Sequence, residues 1–318
     1  MTIEVRPFCT DSLAGWDDLI TRSVSGTFLH SRRFLSYHGD RFHDLSVCIY
    51  DGGHLMAVFP AAVDPAEEAC ATSHPGATYG GLMHDGGLWG NRMIEALEKL
   101  REYYARLGLR RLRYKAVPRM YHRVPAEDDL YALFRAGARR YRCDLASVVD
   151  LGNRLTPSKR RKRCVKAALA SNVLVQEGSE RLADFWELLE GNLACRHKVR
   201  PVHTIEEMRA LLGRFPDQIR LVTAIAAEQM VAGVLLFVMP TAVHTQYISA
   251  SEAGYALHAL DAVIEHCIAA ASLGSVRWFS MGISNEENGS VLNDGLHQFK
   301  SEFGAGAMAH EFYEIDLA

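Results

Sequence analysis

The chain has 318 residues, 48% hydrophobic and 23% charged, a composition of soluble globular proteins with room for two ordinary domains. Its formal net charge of −3 excludes a uniformly basic nucleic-acid binder, and DNA is not an expected partner. No apolar run approaches the roughly 20 residues of a membrane span, and the start MTIEVRPFCTDS lacks a signal-peptide pattern, so a cytoplasmic location is expected.

In chain order, Leu45–Tyr50 alternates like a strand, Asp51–Gly53 suits a tight turn, and His54–Val63 reads as the returning strand. SHPGATYGGLMHDGG (Ser73–Gly87) is a glycine-bearing loop that follows a further strand. It leads into a helix over Asn91–Gly108, with Met93, Ile94, Leu97, Leu100, Tyr104 and Leu107 on one face and Gly108 at its stop. A strand (LRRLRYKAVP), a polar loop, a helix (AEDDLYALFRAG) and a closing strand (CDLASVVDL) complete the first half. The polar LGNRLTPS, Leu151–Ser158, marks a seam.

The second half opens on a helix with Thr156 as its expected N-cap and Pro157 as its first residue. Six of the eight residues Lys159–Lys166 are Lys or Arg. The macrodipole disfavours cations at a helix start, so either an anion lies nearby or the run is a solvated basic face. The anion would be the phosphates of coenzyme A, a nucleotide-sugar pyrophosphate or an RNA backbone. Ile219–Met239 reads as two strands about a short turn. HTQYISASEAGYALHALD, His244–Asp261, then carries a strand into a loop with one glycine and on into a helix. Leu260, Val263, Ile264, Cys267, Ile268 and Ala271 form that helix's stripe, which stops at Gly274. A strand (SVRWFSMGI), a helix within GSVLNDGLHQFKSEFG and a closing strand (AHEFYEIDL) follow. Hairpin, strand, helix, strand, helix, strand thus occurs twice, predicting a duplicated α/β domain, residues 1–152 and 153–318.

This order resembles the GNAT acyltransferase fold, and two such units in tandem resemble the Fem-like transferases. HPGATYGG (His74–Gly81), PAEDDLYALFRAGARRY (Pro125–Tyr141), RHKVRPVHTIEEM (Arg196–Met208) and the tail Gly282–Ile315 are similar to stretches of that family. The resemblance implies an α/β (α+β, mixed-sheet) protein of two tandem GNAT-like domains, acting as an N-acyltransferase. An acyl or aminoacyl group would pass from a carrier to an amino group of a small polar acceptor, such as an amino sugar or a biosynthetic intermediate. Acyl-CoA, slightly preferred, or aminoacyl-tRNA would be the co-substrate, with no tightly bound cofactor. GNAT enzymes that use coenzyme A usually carry Gln or Arg, two residues, Gly, one residue, then Gly or Ala. Here the register is Ser251 to Ala256, with Ser251 in the leading place and Gly254 as the glycine. A non-catalytic module binding nucleotide-sugar or RNA is the other reading. No H-E-x-x-H motif, C-x-x-C pair or compact His and carboxylate cluster is present, so no metal site is expected.

Amide formation needs a base for the amine and a donor for the developing oxyanion. His203 is the candidate base, with Glu286 as a second base or an amine-orienting carboxylate; the alternatives are a cap for the helix near Thr204 and ordinary turn chemistry. The resemblance places the donor carbonyl on the backbone of a splayed strand, Tyr247 to Ala250, Ser249 included. Donor phosphates are expected on Ser251, Gly254 and Ala256 and on Lys159, Arg160 and Arg163. Arg196 and Arg200 suit an anionic acceptor group. His74, Tyr79, Lys115, His122 and Glu127 are the acceptor-side candidates; the alternative is a first domain that only buttresses the second. Lys300 either reaches an anion or stays solvated.

Overall fold

The computed structural model describes residues 3–317; the side chains of Arg196 and His197 lie outside the described residues, and with them the expected acceptor contact of Arg196. The chain divides into two compact units: unit 1 runs to Asp144 and takes in Glu287–Val291 and the tail from Ala309, while unit 2 is Leu145–Glu286 with Leu292–Met308.

Unit 1 contains β1 (Ile3–Pro7), α1 (Leu13–Arg22), α2 (Arg32–Leu35), β2 (Val47–Asp51), β3 (His54–Phe59), β4 (Ala62–Asp64), β5 (Glu67–Thr72) and β6 (Met83–His84). It continues through α3 (Asn91–Arg106), β7 (Arg111–Lys115), α4 (Asp128–Arg135) and the first residues of β8 (Arg139–Asp150). The expected strand His54–Val63 is two strands, because Pro60 has no N–H to donate to a ladder. β1, β2, β3 and β6 form an antiparallel sheet. β5 lies between β4 and β7 and runs parallel to β7 through Cys70, Ala71 and Thr72. Most of the stripe read on α3 is its buried face: Met93, Leu97, Leu100 and Tyr104 pack with Val47, Ile49, Phe59 and Leu112, whereas Leu107 follows the last helical residue, Arg106, and is exposed.

Unit 2 contains α5 (Lys159–Ala170), β9 (Leu174–Glu177), α6 (Leu182–His197), α7 (Ile205–Arg214), β10 (Ile219–Ala226), β11 (Gln229–Val238) and β12 (Ala242–Ala250). Next come α8 (Glu252–Ala256), α9 (Ala259–Ser272), β13 (Trp278–Ile283), β14 (Asn285–Glu286), β15 (Val291–Leu292), α10 (Asp294–Ser301) and β16 (Gly306–Asp316). β14, β15 and β16 stand at or across the boundaries of the units. Its sheet has the order β8-β13-β12-β11-β10-β9. α9 is apolar almost all round, and Leu260, Val263, Ile264 and Ile268 pack on Val222, Val234, Leu236 and Phe279. The apolar residues of α6 are spread around the helix instead of striped, which hides it from a periodicity search.

The closing strands correct the sequence reading. Each half was expected to keep its own; instead residues 146–150 of β8, from the first half, pair antiparallel with β13 in unit 2. In unit 1, Phe312–Asp316 of β16 pair with β7. The boundaries at 152 and 153 therefore do not coincide with the compact units. Alternation fixes which face of a strand is buried, but not which strand pairs with it.

Candidate active site

The centre of unit 2 is the place where two parallel strands part. β12 and β13 pair only through Ala242, Val243 and His244 against Trp278, Phe279 and Ser280. From Thr245 onward β12 is paired with β11 alone, and Leu235 faces Tyr247 while Leu236 faces Thr245, so Gln246 is the extra residue of a β-bulge. The bulge re-aims the strand at the point of separation, and among the described residues no strand pairs with Tyr247–Ala250 on the side of that gap.

Two sequence candidates meet on this stretch. His203 Nδ1 lies 2.7 Å from the Tyr247 hydroxyl, and the His203 backbone N–H donates to the same oxygen at 3.3 Å. The alternative for His203 does not hold: Thr204 is the N-cap of α7, in a reciprocal box with Glu207 at 3.2 and 2.9 Å. His203 is buried. Burial raises the phenol pKa of Tyr247, opposed by the His203 N–H, so the tyrosine is protonated at neutral pH. Trp186 meets the Tyr247 ring edge-on at 5.4 Å.

The structure adds residues that the sequence did not single out. Asn192 of α6 donates to Ser249 Oγ at 2.7 Å and to the Ala250 carbonyl at 2.9 Å, tying α6 to the parted strand. A lone amide among the leucines of α6 was the available signal. At the base of the gap, His244 Nδ1 is 3.1 Å from Ser280 Oγ. Burial, with the charge of Lys300, pushes the His244 imidazole down to about 4. Lys300 itself is buried: its ammonium donates to the carbonyls of Ile283 at 2.5 Å and Gly282 at 3.3 Å, and burial lowers it to about 8.

The glycine loop is built for packing. Val231 is the extra residue of a second bulge, between the pairs Ala224–Ala232 and Ile225–Met230. Its carbonyl accepts from Ser251 N at 2.9 Å and Ser251 Oγ at 3.2 Å. Ser251 Oγ in turn accepts the Gly254 N–H at 3.1 Å. A Cβ on Gly254 would lie 2.0 Å from the Val231 oxygen, so only glycine fits there. Tyr255 N bonds to Ser251 O, Glu252 adds a carboxylate to the turn, and Ala256 ends a five-residue helix. The Gly254 N–H, expected to face phosphate, is occupied.

The basic run also divides. Ser158, not Thr156, is the N-cap of α5, accepting from Arg161 N at 3.1 Å. Arg161 turns inward, ion-pairing with Asp261 in the first turn of α9 and donating to Glu302 at 2.9 Å. Lys159, Arg160, Lys162, Arg163 and Lys166 stay exposed. Arg200 is exposed. Glu286, exposed, accepts from Asn293 at 2.7 Å, which braces the start of α10.

Unit 1 repeats the parted parallel strands, but its own chain fills the space. Ser73 Oγ accepts from Lys115 N at 2.7 Å, Gly80 N donates to Lys115 O at 3.0 Å, and the Lys115 ammonium donates to the Ala77 carbonyl. Burial, with Arg142, lowers the Lys115 amine to about 7. Tyr79, expected at an acceptor pocket, is buried against Tyr121 with its hydroxyl 3.1 Å from Thr27 Oγ1. His74 is buried beside His38, with ring centroids 4.9 Å apart, and burial pushes it down to about 3. His122 is half-buried with Nε2 3.0 Å from the Val117 carbonyl, and Glu127 is the exposed N-cap residue of α4. Of these five, only Glu127 is open to solvent in this structure.

A groove of about 510 Å³ lined by Glu177, Leu182, Arg209, Leu212 and Arg220 shares no residue with the parted strands. Among the described residues no cluster of three or more His, Cys, Asp or Glu is placed to hold a metal, and no helix is long and apolar enough to cross a membrane.

Parted parallel strands, a bulge at the parting and a helix after the loop define a GNAT-type acyltransferase fold. Residues 153–300 match the family model described as the acetyltransferase (GNAT) domain. Over nearly its whole length the fold is similar to FemX, with a TM-score of 0.70 at 10% identity, covering 98% of this chain and 97% of that one. A tandem GNAT protein from the clavulanic acid biosynthesis pathway gives 0.54 at 12%, covering 99% of each chain. The C-terminal domain assigned to a lysylphosphatidylglycerol synthetase of Agrobacterium fabrum gives 0.63 at 10%, covering 96% of this chain and 91% of that one. These likenesses establish a Fem-like tandem-GNAT fold. No curated protein gave a significant match.

Proposed function

We propose that this protein is an N-acyltransferase that forms an amide at the parted strands of unit 2, with an aminoacyl ester of tRNA as donor. The observation that carries the reading is the unpartnered edge of β12 beside the His203–Tyr247 pair. The donor carbonyl lies on the Tyr247–Ala250 backbone, where N–H groups stabilise the oxyanion. The acceptor amine attacks the carbonyl carbon, the C–N bond forms, and the C–O bond to the carrier breaks. The amine's proton passes to Tyr247 as the phenol proton moves to His203 Nδ1 over 2.7 Å, and the same pair returns a proton to the departing ribose oxygen, which leaves as the alcohol.

Three features of the loop disfavour a coenzyme A pyrophosphate there: Ser251 in place of Gln or Arg, the occupied Gly254 N–H, and the carboxylate of Glu252. The second reading, acyl-CoA, is favoured by the description of the matching family as acetyltransferase. The acceptor is a small polar amine, an amino sugar being the first to try.

The test is amide formation from aminoacyl-tRNA and from acetyl-CoA with a panel of amino sugars, in wild type and Tyr247→Phe. Transfer from aminoacyl-tRNA, slowed in the variant, supports the reading. Transfer from acetyl-CoA alone replaces the donor, and transfer from neither overturns it.

A further inference from the structure

Unit 2 carries a basic helix face, on α5, that supplies no residue to the bond-making steps proposed above. At 3.6 residues per turn, Lys159, Lys162, Arg163 and Lys166 fall within an arc of about 100° on α5. The opposite face, Arg161, Cys164 and Ala168, is the buried one. No acidic residue occurs in α5, and among the described residues none of these four cations has a carboxylate within 4 Å; Glu302 is taken by the buried Arg161, at 2.9 Å, and approached by Arg160, at 3.9 Å. The stripe is about 10 Å long.

Leucines flank it at both ends. Leu155 precedes the helix and is 60% exposed; Leu169, 61% exposed, sits beside Lys162 on the wheel. Leu174, 66% exposed, follows the left-handed turn at Asn172 and opens β9, the edge strand of the sheet. Exposed single leucines are ordinary, but Leu169 on the stripe itself, with exposed Leu155 and Leu174 in the segments that adjoin α5 in the chain, makes an amphipathic surface.

We propose that this face of unit 2 docks on an anionic lipid bilayer. The lysine and arginine stems extend along the interface with their charges at the lipid phosphates, and the three leucines enter the boundary below the headgroups. An RNA backbone would satisfy the cations equally and leave the leucines in water, which is why the lipid surface is the better fit. The inference concerns a different surface from the acyl site and does not rest on the donor assignment.

The test is co-sedimentation of the full chain with vesicles of phosphatidylcholine containing about a third phosphatidylglycerol, against phosphatidylcholine alone. Binding to the anionic vesicles only, weakened by high salt, is expected. Each single change, such as Lys162→Gln, should weaken partitioning about five-fold. Leu169→Asn with Leu174→Asn leaves the net charge intact and should also weaken it several-fold. All are exposed positions, so folding is checked by an unchanged unfolding temperature. Absence of vesicle binding overturns the proposal. So does binding indifferent to the leucine pair, and so does capture of unfractionated tRNA with no capture of vesicles.

Discussion

Replacing Gly254 by alanine separates the two roles a glycine in this loop can have. The added Cβ would stand 2.0 Å from the Val231 carbonyl oxygen and 2.9 Å from its carbon, where real contacts stay above 3.0 Å. The obstacle is backbone, held in β11 between β10 and β12, so no rotamer change relieves it. The loop must withdraw by about an ångström, stretching the two Ser251 bonds to that oxygen, which start at 2.9 and 3.2 Å. Overpacking of this kind costs about 1–3 kcal/mol. In a domain of this size each kcal/mol lowers the melting temperature by about 2–4 °C. Calorimetric unfolding of Gly254→Ala should therefore show a fall of roughly 2–12 °C. Donor titration well below that transition should give an affinity near wild type. Unchanged melting with abolished donor binding would refute the packing argument and make the glycine a phosphate cradle after all.

Arg161→Ala removes the partner of Asp261, whose side chain is only 9% exposed, and should cost about 3–5 kcal/mol in thermal unfolding. Arg160→Ala, at an exposed side chain 3.9 Å from Glu302, should stay within about 0.5 kcal/mol. Tyr247→Phe and His203→Ala should each lower kcat about 10²–10⁴-fold without changing the donor Kd, and the double variant should be no worse than the slower single. Equal kcat at saturating substrates in either single variant rules out the proton route. His30 and His84 are buried and held down to about 4 by burial. Above an unfolded value of about 6.5 neither state binds the proton; below it the unfolded chain does and the folded one does not. Stability should thus fall as the pH drops from about 6.5 towards 4, by up to roughly 3 kcal/mol for each group. The slope of unfolding midpoint against pH should be shallower in His30→Gln, and an identical slope would show that this histidine is not responsible.

Several features were legible because their cause is local. The stripes of α3 and α9 appear in the letters because a helix buries every third or fourth residue, and apart from Leu107, which is exposed, those residues lie in or against the two cores. The double-glycine turn at Gly52–Gly53, with φ of 54° and 85°, follows from backbone sterics. The duplicated order of elements followed from such local signals added along the chain.

What the tertiary structure decided depends on distance in sequence. His203 and Tyr247 are 44 residues apart, and only the docking of the α6–α7 segment on β12 brings ring and hydroxyl to 2.7 Å. Arg161 is indistinguishable by residue type from its basic neighbours, yet a turn of 100° per residue aims it at Asp261 while they face water. The exchanged closing strands have the same reason: a strand's alternation says which face is covered, whereas its partner is chosen by the register and packing of the assembled sheet.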